Sequence, residues 1–342
     1  MAKKVRVGVV GCGKIAEFLH VPEYVRCEKA RLVALCDAKI ANARALAKTY
    51  GVAKVYKSHK EMFAREKLDA VSVCLPNYLH APVTIDALNA GMHVMVEKPM
   101  AMTSAEAKRM ISAARKNKRL LMVEQAQRYY PVHLKAKEIV DSGMLGRILY
   151  VSTMFGHGGP EAWSPEGKWF FDKKQAGFGT AADLGVHKAD LIRFITGKEV
   201  AEVSAYTALL EKTDTDLEDN FAAALKFTDG TLGTLGSSWT VKGGSCDYIV
   251  LHCANGMLRV CQIPDKPLVA ALEYPQCTIE FEVNTFPVCP DGTWDLHVMD
   301  NFVNAILGEE EPLVTGEDGK KALEIILAAV KSAKEGVSVK VG

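Results

Sequence analysis

The sequence predicts a doubly wound α/β domain followed by an α+β domain built on a largely antiparallel sheet. Three observations carry this. Residues 5 to about 125 alternate β-branched runs with helical stretches, and strands apolar on both faces between helices imply a parallel sheet. From Glu199 to Phe281 short strands follow one another across turn signals without helices, the pattern of antiparallel pairing. At 342 residues the chain is also long for one hydrophobic core. The expected division is residues 1–125 and 126–342, with the last helix packing back on the first domain.

In the first domain the strands are "VRVGVVG", "ARLVALCD", "DAVSVCLP", "HVMVEKP" and "LLMVEQ". Helices are expected over Ala38 to Tyr50, Ala81 to Ala90 and Ser104 to Asn117, the last introduced by the capping box Thr103 and Glu106. After residue 145 come a strand (Arg147 to Phe155), a loop rich in Gly, Pro and Trp, and a helix from Ala181 to Thr196. The turn signals "TDG", "KGG" and "ANG" then separate the short strands. Two helices close the chain, Leu296 to Leu307 and Glu317 to Lys334.

Net charge of +1 gives no electrostatic case for nucleic acid or a membrane surface. No apolar run approaches the roughly 18 residues of a spanning helix, and "MAKKVRVGVVG" passes from lysines straight into a strand, unlike a signal peptide. The nine cysteines form no C-x-x-C; Cys36, Cys74 and Cys253 sit in apolar strand-like runs. They read as small buried hydrophobes in a reducing cytosol, so the expected location is cytoplasmic and no metal is expected.

"VRVGVVGCGKIAEFL" is a strand, a glycine turn and a helix start. Gly11, Gly13 and Ala16 fill the G-x-G-x-x-G/A template around Lys14 and Ile15, and Asp37 ends the next strand. This context predicts a dinucleotide on the helix N-terminus, with the acid on the ribose hydroxyls favouring NAD over NADP. Lys39 is the nearby cation that softens that bias. "VMVEKPMA" ends a second strand in Glu97-Lys98-Pro99, where open α/β sheets bind ligands. "DLGVHKAD" places Asp183, His187 and Asp190 on one helix face. It reads as a base with its orienting carboxylate, a polar patch or a metal site, the last disfavoured for want of a third ligand. Asp190 is expected to face Arg193 or solvent. Gln125 and Arg128 follow the last strand, Gln125 as a cofactor-side candidate and Arg128 as either a substrate residue or a structural ion-pair member. His157, Trp163 and Trp169 either line a sugar pocket or anchor their loop. The acids Asp214, Asp216, Glu218 and Asp219 read as a solvated turn.

On "GCGKIA", "CLPNYLHAPVTIDALNAGMHVMVEKPMA", "AADLGVHKADLIRFITG" and "EPLVTGEDGKKALEIILAAVKSA" the chain resembles the glucose–fructose oxidoreductase / inositol dehydrogenase (Gfo/Idh/MocA) family over essentially its whole length. The resemblance implies a Rossmann domain, and a C-terminal domain whose large open sheet carries subunit contacts in a homo-oligomer, a dimer or tetramer. It implies a catalytic lysine at Lys98 and an Asp and His at the substrate, Asp183 and His187. Pro76, Asn77 and His80 match a turn beside the nicotinamide ribose, and Glu97 belongs to the same cofactor-side set. The expected activity is hydride transfer between NAD and a secondary ring hydroxyl of a sugar, glycoside or cyclitol. The chemistry agrees: an imidazole suits the base and an ammonium the developing alkoxide. His187 is favoured over Lys98 as proton acceptor, though sequence leaves the two open. The alternatives are a redox-neutral NAD-dependent glycosidase or lyase working through transient C3 oxidation and, less favoured, a non-catalytic NAD-sensing regulator.

Overall fold

A computed structural model describes residues 4–342; residues 1–3, where the segment read as unlike a signal peptide begins, lie outside the described residues. The chain divides into two compact units, the first running through Ala126 and taking in Pro287–Lys320, the second comprising Gln127–Phe286 and Lys321–Gly342. Pro287–Lys320, assigned from sequence to the second domain, packs with the first unit.

The first unit holds six parallel strands: β1 (Val5–Val10), β2 (Ala30–Cys36), β3 (Lys54–Tyr56), β4 (Ala70–Val73), β5 (His93–Glu97) and β6 (Leu121–Glu124). Their order is β3-β2-β1-β4-β5-β6, so the direction of winding reverses between β1 and β4. Ligands of such sheets bind at that reversal, beyond the carboxyl ends of the strands. Val7, Val9, Val71, Val94, Met95 and Met122 are fully buried, as strands covered on both faces require. The helix Ser104–Asn117 buries Ala107, Met110, Ile111 and Ala114, one face at helical spacing. Its Thr103 Oγ1 accepts from the Glu106 amide at 3.1 Å, the predicted cap. The helix expected over Ala81 to Ala90 starts earlier, at Asn77, because Pro76 and Pro82 do not interrupt it. β3 and the helix His59–Arg65 were not foreseen.

The second unit carries β7 (Ile148–Gly156), β8 (Val200–Ala208), β9 (Asn220–Phe227), β10 (Leu232–Ser238), β11 (Cys246–Cys253), β12 (Gly256–Ile263), β13 (Lys266–Leu272), β14 (Cys277–Phe281) and β15 (Val339–Lys340). They form one nine-stranded sheet, β14-β13-β12-β11-β7-β10-β9-β8-β15, antiparallel except where β10 runs parallel to β7. β9 shows why one face is covered: Phe221, Ala223, Leu225 and Phe227 are buried, while Ala222, Ala224 and Lys226 are exposed. The covered face packs against Ala189, Ile192 and Ile195 of the helix Val186–Thr196, and Val132, Ala136 and Ile139 of the helix Pro131–Asp141. The latter helix was missed from sequence. All nine cysteines are free thiols, with Cys36, Cys74 and Cys253 buried as expected.

Candidate active site

In the first unit the glycine turn leads into a continuous helical stretch, a wide π turn (Ala16–His20) followed by Val21–Arg26. Gly11 has φ +93°, and a Cβ on it would lie 2.0 Å from the Cys74 carbonyl, so β1 and β4 approach only through glycine here. At Gly13 a Cβ would meet nothing within 4 Å, which leaves open space over the backbone where the dinucleotide template puts the pyrophosphate. Ala16 is fully buried against the strands. Asp37 Oδ2 accepts from the Cys12 amide at 2.8 Å and Oδ1 from the Lys39 amide at 2.7 Å, fixing the acid at the turn. Lys14 pairs with Glu17 at 2.9 Å, and Ile15 is half-buried beside it. These residues fit a dinucleotide.

The other residues assigned to the cofactor side divide. Lys98 is half-buried at the end of β5, and its peptide bond to Pro99 is cis. His80 is buried, with Nδ1 2.8 Å from the Pro99 carbonyl and Nε2 2.6 Å from that of Leu75. It clamps the turn after β4 to the turn after β5, and burial lowers its pKa. Pro76 and Asn77 begin the intervening helix, and Gln125 is buried after β6. Glu97 turns inward, its Oε1 2.8 Å from His20 Nε2.

In the second unit the helix of Asp183 and His187 also opens with a π turn, Ala181–Gly185. Its first amides are tied down by Glu218, whose Oε1 accepts from Gly179 at 2.8 Å and Ala181 at 3.2 Å. A Cβ on Gly179 would lie 2.0 Å from the Glu218 carbonyl, so only glycine admits this approach. Asp183 Oδ2 accepts from Trp239 Nε1 at 3.0 Å, and Trp239 is fully buried. His187, one turn on, lies 6.0 Å from the Phe155 ring centre. The next residue, Lys188, is fully buried, pairs with Asp247 and lies 5.5 Å from the Phe155 ring centre. Asp247 in turn accepts from Gln127 at 2.9 Å. Trp239, Lys188 and Asp247 escaped the sequence reading; a lysine inside an apolar helix was the signal available for Lys188.

Several expectations need correction. Asp190 does not face solvent: it is 1% exposed and accepts two hydrogen bonds of 2.6 Å from Arg128. Arg128 is thereby the structural ion-pair member, and Arg193 pairs instead with Glu199 at 2.7 Å. The acidic turn is only half solvated, because Asp219 is fully buried and accepts from the amides of Leu210, Glu211 and Lys212. Trp163 and Trp169 both pack on Phe170, at 5.4 and 3.9 Å, and His157 Nδ1 accepts from the Gly159 amide at 3.0 Å. Among the described residues no cluster of His, Cys, Asp or Glu could hold a metal ion, and no helix is long and apolar enough to cross a membrane.

Comparison with known proteins matches three stretches of the chain to one family. Residues 5–125 match the oxidoreductase family's NAD-binding Rossmann fold, 133–259 the GFO/IDH/MocA C-terminal domain and 290–341 the family's C-terminal alpha/beta domain. The chain belongs to the Gfo/Idh/MocA oxidoreductase family. Relatives within it include D-glucoside 3-dehydrogenase of Escherichia coli, 29% identical over 98% of this chain and 97% of that one. Myo-inositol 2-dehydrogenase of Thermotoga maritima is 27% identical over 98% of both. The solved WlbA dehydrogenase of Bordetella pertussis, in complex with NADH and UDP-GlcNAcA, superposes with a TM-score of 0.85 at 25% identity, covering 100% of this chain and 99% of that chain. Residues 5–125 of this family member thus form an NAD-binding Rossmann domain.

Proposed function

We propose that the protein is an NAD-dependent dehydrogenase of a secondary ring hydroxyl in a sugar, glycoside or cyclitol. The observation that carries this is the pair Asp183 and His187, buried one helical turn apart, with the carboxylate fixed by Trp239. The two family relatives named for a glucoside and an inositol support the substrate class. NAD, when bound, exchanges the hydride. Asp37 holds ribose hydroxyls, Gly11 and Gly13 admit the pyrophosphate, and Pro76, Asn77, His80 and Gln125 shape the nicotinamide side. His187 takes the hydroxyl proton, Asp183 orients His187 or holds a neighbouring hydroxyl, and the Lys98 ammonium stabilises the alkoxide oxygen. The aromatic loop of His157, Trp163 and Trp169 contributes flat faces to the sugar. We further propose that the protein works in the cytoplasm as a homo-oligomer.

A panel of inositols, hexoses and glycosides with excess NAD⁺, followed by NADH absorbance, tests this; a steady rise with one member is expected. Release of free sugar without net NADH would replace it with the redox-neutral glycosidase. Lys98→Ala should bind NAD normally and lose about 10²- to 10³-fold in turnover, as when an oxyanion-stabilising group is removed. Unchanged turnover would remove Lys98 from the chemistry.

A further inference from the structure

Five polar side chains lie buried together inside the first unit: His20, Tyr24, Ser72, Glu97 and Glu124. The Tyr24 and Ser72 hydroxyls are 2.8 Å apart, Ser72 Oγ is 3.0 Å from His20 Nδ1, and His20 Nε2 is 2.8 Å from Glu97 Oε1. One assignment of protons satisfies the whole run. Tyr24 donates to Ser72, Ser72 donates to Nδ1, and the Nε2–H donates to Glu97. This requires a neutral imidazole, and burial lowers the His20 pKa to about 4, against the attraction of Glu124 and Glu23. Glu97 Oε2 accepts a second hydrogen bond, from the backbone amide of Lys98 at 3.2 Å.

Glu124 stands beside Glu97, because the two are register partners on β5 and β6 and share a sheet face. It is 2% exposed, yet no donor among the described residues reaches its Oε1. Two adjacent carboxylates in a dry interior do not both ionise, and the one whose buried Oε1 has no donor is the one that keeps a proton.

We propose that Glu97 is a positioning residue for Lys98: a carboxylate held by His20 that anchors the lysine backbone and sets one negative charge by its ammonium, while Glu124 carries the proton of the acid pair. Burial raises both acids, Glu124 well above the ordinary carboxyl range and Glu97 to about 7, where the Lys98 charge and amide hold it back. The other titratable groups facing the pair are Glu23 and Tyr24 on the helix after the π turn, and Cys74 beyond β4. The Cys74 and Tyr24 groups are driven to their neutral forms by burial, so Lys98 is the cation that the pair balances. The inference rests on the role of Lys98 proposed above only for its catalytic consequence.

Two measurements test it without any substrate. Infrared spectra of protein with isotope-labelled glutamate should show a neutral carboxylic acid band at neutral pH that disappears in Glu124→Gln. Its persistence in that variant, or its loss in Glu97→Gln alone, would overturn the proton assignment. Acylation of Lys98 by acetic anhydride at neutral pH, read by mass spectrometry, should be about tenfold faster in Glu97→Gln, where the neighbouring negative charge and its backbone anchor are both lost. Less than tenfold change is expected in Glu124→Gln, which reproduces a neutral acid. Equal acylation rates in wild type and Glu97→Gln would overturn the positioning role. The infrared arm uses wild type and Glu124→Gln, so it decides the proton assignment even where Glu97→Gln does not fold. Inactivity of the protein on the sugar panel would instead touch only the dehydrogenase reading.

Discussion

The helices that follow Gly13 and Gly179 start alike and bury different cargo. Both open with a π turn, Ala16–His20 in one and Ala181–Gly185 in the other, a widening that recurs at functional sites. Behind the first lies an acid-rich group, Glu97 and Glu124 with a neutral histidine. Around the second, two buried charges have opposite partners: Lys188 with Asp247, and Arg128 with Asp190. The contrast separates two uses of burial. A matched ion pair holds a scaffold in one geometry, whereas two acids facing one lysine leave a carboxyl that burial drives toward its neutral form.

The largest effect should come from the second helix. His187→Asn is expected to lower kcat by about 10²- to 10⁴-fold, the range of a lost general base, with NAD affinity retained in a fluorescence titration. A loss under tenfold would hand the proton to another group. Next, Arg128→Met should destabilise the protein by about 3–5 kcal/mol in urea unfolding, since it leaves Asp190 buried and uncompensated. Adding Asp190→Leu should recover most of that loss; failure to recover would mean the pair has no matched-charge role.

What the sequence disclosed follows the same line. The glycine turn, the strand before it and the acid after the second strand were legible because each is a local requirement, met by Gly11, Gly13 and Asp37. Asp183 and His187 were legible because helical spacing puts them on one face. The partner of Asp190 was not, because spacing offers Arg193 while the fold supplies Arg128, 62 residues away. Asp219 looked solvated because charge patterning cannot show that three backbone amides converge on it. The helix Pro131–Asp141 was lost in the strand-end segment that precedes it.

Smaller changes sharpen the comparison. Trp239→Phe keeps an aromatic ring but removes the donor to Asp183, and should lower kcat/KM by about 1–3 kcal/mol in transition-state stabilisation, the cost of leaving a buried acceptor unsatisfied. An unaltered kcat/KM would show that the indole only fills space. Glu124→Gln should have the mildest effect, with a definite sign. The folded state holds a proton that the unfolded chain releases above the ordinary value of 4.5, so wild-type stability falls as pH rises from there toward the raised folded pKa. Glutamine removes that slope. The variant's Tm relative to wild type should therefore climb from mildly acidic to mildly alkaline buffer, and a decline would reverse the assignment.

Glu23 also receives three backbone amides, from Leu296, His297 and Met299, across a separation of 273 residues at the first of them. That carboxylate makes the first unit discontinuous in synthesis as well as in sequence. On a ribosome the strands of the nucleotide sheet emerge first, yet the anchor for Glu23 emerges only after β7 to β14, eight of the nine strands of the second unit's sheet. Until then a buried acid has no amides to receive it, so the earliest part of the chain to be made is among the last to be completed.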